Sequence, residues 1–188
     1  MENEQRISFF SYDLMDAAMQ KEMQRCATEG TPRPESSAIR AHAPNAFWAF
    51  ASWQDIFYHG ICEHSIKELC RVYISRTVNC EFCGNQRSEK ASTEGLLEMK
   101  FDDLLNFESS DKYDDRQKAA LAYAEAIAWR LDLDSVFWSR LKLHFNEAEL
   151  VELGCFIGLT FGQQSWIRIL NIAHQTYMPG TTAGLAKN

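Results

Sequence analysis

Proline and glycine are scarce in this chain, 4 and 9 residues out of 188, too few for the repeated tight turns of a β-sandwich or barrel. Sustained apolar–polar alternation, the mark of half-buried strands, is also missing. Positive charge is in deficit: 19 Lys and Arg stand against 26 Asp and Glu, a net charge of −7, which sets the surface against nucleic acid and anionic lipid. No apolar run reaches bilayer length. The longest, around Leu153 to Phe161, falls well short of the ~20 residues of a spanning helix. The opening Met1-Glu2-Asn3-Glu4-Gln5-Arg6 lacks the basic-then-apolar pattern of a signal peptide. Of six cysteines only Cys80 and Cys83 are spaced as a motif; Cys26, Cys70 and Cys155 sit among helical apolar positions as small hydrophobes. These absences favour a cytoplasmic protein with neither a nucleic-acid nor a membrane partner.

What is present is helical periodicity from end to end. Phe10, Leu14, Ala17, Ala18 and Met23 form a stripe that ends at Gly30 and the Thr31-Pro32-Arg33-Pro34 run. A short helix is expected after Glu35, and another from Pro44 through Ile56, whose aromatics (Phe47, Trp48, Phe50, Trp53, Phe57, Tyr58) read as core. Glu63–Val78 carries an apolar stripe of Ile66, Leu69, Cys70, Tyr73 and Thr77 against a polar one of Lys67, Arg71 and Ser75. Ser92-Thr93-Glu94-Gly95 opens a short helix, and Asp102–Leu105 makes another. Asp114 with Gln117, and Asn146 with Glu149, are capping boxes for two long helices, and Asp134 caps a shorter one between them. The last long segment is expected to be buried all round, with Gly154 and Gly158 admitting a neighbouring helix, Gly162 breaking it, and a final helix running from Trp166 to near Tyr177. Glu152 on that segment needs a partner, for which Arg168 is the candidate. The expectation is an all-α fold of about eight helices in a single domain over residues 1–188, with a helical arm at 1–30 and the core at 44–177.

Chemistry concentrates in Asn79-Cys80-Glu81-Phe82-Cys83-Gly84-Asn85-Gln86-Arg87-Ser88. If Asn79 caps a helix starting at Cys80, the two thiols are neighbours on one face and Arg87 continues the stripe. A cation near a thiol favours thiolate, the reactive form. The helix before Asn79 and the one after it then form an antiparallel hairpin that brings Glu68 level with Arg87 as an ion pair. Bland readings stand beside this one: a pair of unreactive buried thiols, a solvated Glu68 paired with Arg71 at i+3, and Arg87 as a surface charge. A zinc site completed by Cys62 and His64 fails on distance, because the intervening helix separates Cys62 from Cys80 by about 24 Å. His42, His59, His64, His144 and His174 show no metal-ligand spacing; His174 and Tyr177 are candidates to line a pocket, and Trp166 reads as core.

The pattern Glu68-x11-Cys80-x-x-Cys83-x3-Arg87 resembles the E-x11-C-x-x-C-x3-H signature of the alkylhydroperoxidase D-like, or carboxymuconolactone decarboxylase-like, family. Lys118–Ala124 and Glu149–Leu153 resemble helices of its second half. The resemblance implies an all-helical subunit in a homo-oligomer, trimeric or hexameric, with a dimer as the smaller alternative. It implies that Cys83 attacks a peroxide, that Cys80 resolves the product as a disulfide, that an external dithiol reduces it, and that Glu68 starts a proton relay, with no cofactor or metal. Arg87 departs from the family's relay histidine: it stays protonated and carries no proton in turnover. The expected activity is therefore a thiol-dependent oxidoreductase, acting on peroxide or by dithiol–disulfide exchange. The alternatives are a lyase of the same scaffold acting on a small carboxylated substrate, or a non-catalytic oligomer.

Overall fold

A computed structural model describes residues 4–186, so Met1–Asn3 of the expected arm lie outside the described residues. Among the described residues the chain forms nine α-helices and no strand: α1 (Ala17–Glu29), α2 (Pro34–Arg40), α3 (Pro44–His59), α4 (His64–Thr77), α5 (Glu81–Gly84), α6 (Glu89–Thr93), α7 (Asp115–Trp129), α8 (Ser135–His144) and α9 (Glu147–Arg168). The caps read from sequence start the right helices. Asp114 and Gln117 close a capping box on α7, Asn146 and Glu149 do so on α9, and Asp134 accepts from the Phe137 N–H at 2.9 Å on α8.

Helix α4 is the axis of the fold and packs most extensively against α7 and α9. Its apolar side, Leu69, Val72 and Tyr73, joins Leu121, Leu153 and Phe156 in the main core. The polar stripe is buried as well: Lys67, Arg71 and Ser75 are at most 5% exposed. The reason lies in what packs there. Lys67 Nζ donates to Glu152 of α9 at 3.0 Å and to the Ile56 carbonyl, and Arg71 is enclosed by the segment bearing the cysteines. Burying these charges is tolerable only because each is matched.

Several other expectations are corrected. Gly162 does not break α9, which runs unbroken to Arg168. Arg168 therefore lies about 24 Å along the helix from Glu152, and Lys67 takes the partner's place, with the Ile61 and Cys62 N–H groups also donating to Glu152. One side of α9 stays open, exposing Val151, Cys155 and Leu159. Gly154 does admit a neighbour, since an added Cβ would lie 2.5 Å from the Tyr123 hydroxyl of α7, whereas Gly158 faces open space. The short helix expected to open at Ser92 does not form: α6 starts at Glu89, where Ser88 caps it, and ends at Thr93. In the N-terminal arm, α1 packs on α2 through Met19 and Met23 against Ala38 and Ala41.

Candidate functional site

At the C-terminal end of α4, Asn79 takes φ +53°. Its N–H donates to the Arg76 carbonyl at 3.2 Å, and the Cys80 N–H to the Ser75 carbonyl at 2.9 Å. This is the Schellman closure of a helix with Asn in the left-handed position. Asn79 thus ends α4 and does not begin α5. Cys80 itself caps α5, its Sγ accepting from the Cys83 N–H at 3.3 Å. The two sulfurs are joined as a disulfide. Both cysteines are buried, Cys80 at 3% and Cys83 at 2% exposure, and pack with Phe82 and Ile167. Phe82 in turn stacks on His174, ring centroids 4.2 Å apart. His174 thus backs the motif, while Tyr177 bonds elsewhere, to the Phe10 carbonyl at 3.0 Å.

Helix α5 is a single turn that ends at Gly84. Arg87 therefore does not continue the Cys80–Cys83 face, and the ion pair expected between Glu68 and Arg87 does not form. Arg87 pairs with Glu98 at 2.6 Å and lies over the Phe101 ring. Its Nη1 donates back to the Gly84 and Gln86 carbonyls at 2.7 and 2.8 Å, which fixes the loop that follows Cys83.

The cation that meets Glu68 is Arg71, one turn along α4. Nε donates to Oε2 at 2.6 Å and Nη2 to Oε1 at 2.8 Å, a two-pronged pair. The surface pairing considered from the i,i+3 spacing has the right partners in the wrong place, since Glu68 is 0% exposed. Arg71 extends the pair to the motif: Nη1 donates to the Cys83 carbonyl at 3.0 Å and Nη2 to the Gln86 carbonyl at 2.7 Å. Glu68 also accepts from the Ser88 N–H at 2.9 Å. Glu68 and Arg71 together hold the backbone on both sides of Gly84 and Asn85.

His64 is a further member that its sequence position gave no reason to pick. Its Nδ1 lies 2.8 Å from the Phe57 carbonyl, which only accepts, so Nδ1 carries the proton and Nε2 accepts from the Ser88 hydroxyl at 2.6 Å. Cys62 is engaged with the Glu149 carbonyl. Among the described residues no cluster of His, Cys, Asp and Glu is grouped to hold a metal ion.

Burial pushes the His64 imidazole below its ordinary range, and the Phe57 carbonyl offsets this only in part. Burial, followed by the Arg33 charge, lowers His174 in the same way. Both are protonated more readily in the unfolded chain, so stability is full above about pH 6.5 and falls as pH drops below it. The melting temperature is expected to fall between about pH 7.5 and 5.5, and less steeply in His64→Gln. A flat profile for the wild-type protein over that range would count against this assignment.

The cysteines separate two spaces. On the Cys80 side an open cleft of about 680 Å³ is lined by Ser75, Arg76, Asn79, Glu81, Asn85 and Leu105. On the Cys83 side a smaller pocket of about 40 Å³ lies between Arg71, Phe50, Trp53, Thr160 and Gln164.

No family model matches the sequence, and no curated protein matches it. Solved structures do match. A variant of the debrominase Bmp8 in complex with 2,3,4-tribromopyrrole superposes with TM-score 0.75 at 16% identity, covering 93% of this chain and 94% of that one. Bmp8 without ligand gives TM-score 0.68 at 20% identity over 87% and 91%. An uncharacterized peroxidase-related protein from Ralstonia eutropha with an alkylhydroperoxidase AhpD core gives TM-score 0.68 at 16% identity over 94% and 96%. The all-helical architecture with its C-x-x-C turn at the end of the central helix is the alkylhydroperoxidase D-like fold.

Proposed function

We propose that the chain is a thiol-dependent oxidoreductase whose working group is the Cys80–Cys83 pair. The observation that carries this reading is the position of the disulfide, with one cysteine lining an open cleft and the other a smaller pocket. In the reduced state the Cys83 thiolate attacks the terminal oxygen of a hydroperoxide. The S–O bond forms as the O–O bond breaks, and the alcohol or water leaves with a proton. Cys80 then attacks the Cys83 sulfenic acid, forming the disulfide and releasing water. Two thiols and one hydroperoxide thus give a disulfide, an alcohol and water, and an external dithiol restores the thiols by exchange.

The division of labour follows from access. An incoming dithiol must reach a sulfur in line with the S–S bond, and the open cleft brings it to Cys80. Attack there places Cys80 in a mixed disulfide and releases Cys83 as thiolate; the dithiol's second thiol then closes its own disulfide and releases Cys80, whose thiolate the Cys83 N–H stabilises. Glu68 acts through Arg71, which holds the Cys83 carbonyl, and is a positioning residue. Arg87 fixes the adjacent loop.

Titration of free thiols tests the reading. Of the six cysteines, two are expected to be lost together on treatment with hydrogen peroxide and both recovered with dithiothreitol. Loss of a single thiol, or of thiols that dithiothreitol does not restore, would contradict it.

A further inference from the structure

The surface around Cys80 differs in charge from the rest of the chain. Arg25, Arg33, Arg71, Arg87, Arg116 and Arg140 are each paired with a carboxylate. Arg76, Arg130 and Arg168 form no ion pair among the described residues. Arg76 reaches only the Asp102 carbonyl, at 3.4 Å, and the exposed guanidiniums of Arg130 and Arg168 make no hydrogen bond among the described residues.

These three arginines gather about the Asn79–Cys80 turn. Arg76 lines the open cleft beside Cys80. Cys80 also borders a second hollow of about 360 Å³, walled by Phe82, Ile167, Ile172 and Arg168. Arg168 and Arg130 share a third, of about 290 Å³, with Thr77, Trp129 and Ser165. Glu81 is the one carboxylate among the residues lining the three. On a chain of net charge −7, this is a local reversal of sign, and such a field draws in anions. The ends of α4, α7 and α9 meet here, and helix-end carbonyls attract cations. That attraction would govern stability alone, and could not discriminate between incoming thiols.

We propose that the hollow between Cys80 and Arg168 binds the carboxylate of a small thiol that reduces the disulfide, with Arg168 as its anchor. This rests on the reading of Cys80–Cys83 as an exchanging pair. A carboxylate on Arg168 makes a charge-assisted pair, and its thiolate meets Cys80 across the same hollow. The thiolate attacks the Cys80 sulfur, the S–S bond breaks, and Cys83 leaves as thiolate. A second thiol attacks the sulfur that the first one brought, forming their own disulfide and releasing Cys80. Two small thiols are thereby oxidised to one disulfide as the protein pair is reduced to two thiols. A neutral thiol reacts by the same steps without the anchor, and a cationic one is repelled by it.

The test uses the oxidised full-length protein and three monothiols: mercaptopropionate, mercaptoethanol and cysteamine. Appearance of the Cys80 and Cys83 thiols is followed by alkylation and mass, and each rate is expressed as the ratio of wild type to variant, so that the thiols' own reactivities cancel. Arg168→Gln is expected to slow mercaptopropionate about fivefold, the scale of one partly exposed ion pair, and to leave mercaptoethanol within about twofold. Cysteamine is expected to react no slower with the variant than with wild type. Arg168→Lys, which keeps the charge, is expected to restore most of the mercaptopropionate rate. In about 0.5 M salt the wild-type rate is expected to fall more for mercaptopropionate than for mercaptoethanol, which carries the test without any variant. Equal ratios for the anionic and neutral thiols would overturn the anchor while leaving thiol exchange intact. So would an equal loss in Lys142→Gln, which removes one charge on α8, a helix that lines none of these hollows. A disulfide that none of the three thiols reduces would remove the thiol-exchange reading itself.

Discussion

Cys83→Ser is expected to lower the rate of reaction with hydrogen peroxide by at least about a thousandfold, the scale on which removal of a nucleophile acts. A serine hydroxyl is not ionised at neutral pH, and nothing in the pocket is a base strong enough to activate it. Cys80→Ser separates the two thiols. Cys83 still reacts, but one thiol is lost per chain where the wild type loses two, because the sulfenic acid has no resolving partner. Equal rates for Cys83→Ser and wild type, measured by consumption of peroxide, would transfer the role of nucleophile to Cys80.

The second large effect falls on stability. Glu68→Gln leaves the Arg71 guanidinium buried without its counter-charge, and breaking a buried pair on one side costs about 3–5 kcal/mol. For a chain of this length that is a fall in melting temperature of roughly 6–20 °C. The damage is not confined to α4. Arg71 also donates to the Cys83 and Gln86 carbonyls, so the backbone around the motif loosens, and the oxidation rate of Cys83 is expected to fall with stability. A melting temperature within about 2 °C of wild type would show that the pair contributes no net stability.

The sequence was most legible where the signal was local. Capping boxes at Asp114 and Asn146 predict the starts of α7 and α9 because the bonds that make them span three residues. The spacing of Glu68, Cys80 and Cys83 pointed to the fold because it records a fixed turn at the end of the central helix. Asn79 was misread for a physical reason: asparagine serves equally as an N-cap and in the left-handed position after a helix, and only the backbone decides. That misreading put Arg87 on a face it does not share. Periodicity marks Lys67, Arg71 and Ser75 as the polar stripe of α4 but is blind to what matches a charge, so their burial was not legible. Lys67 is matched by Glu152 from 85 residues away. The pocket beside Cys83 draws Thr31, Trp53 and Thr160 from three separate segments, and no pattern along the chain announces such a cluster.

The last residues of the described chain bear on how the site comes into being. The Arg87 N–H donates to the Gly184 carbonyl at 2.7 Å and the Ala186 N–H to the Asn85 carbonyl at 2.8 Å. Arg33 reaches across 150 residues to the Ala183 carbonyl and 148 to that of Thr181. Gly30 and Gly184 meet backbone to backbone, where a Cβ on either would lie within 2.4 Å of the other's Cα. A chain synthesised from its N-terminus therefore makes both cysteines long before the segment that clasps the loop behind them. The thiols exist on the nascent chain in a setting quite unlike the folded one, and they gain the surroundings described here only once residues 181–186 have been made.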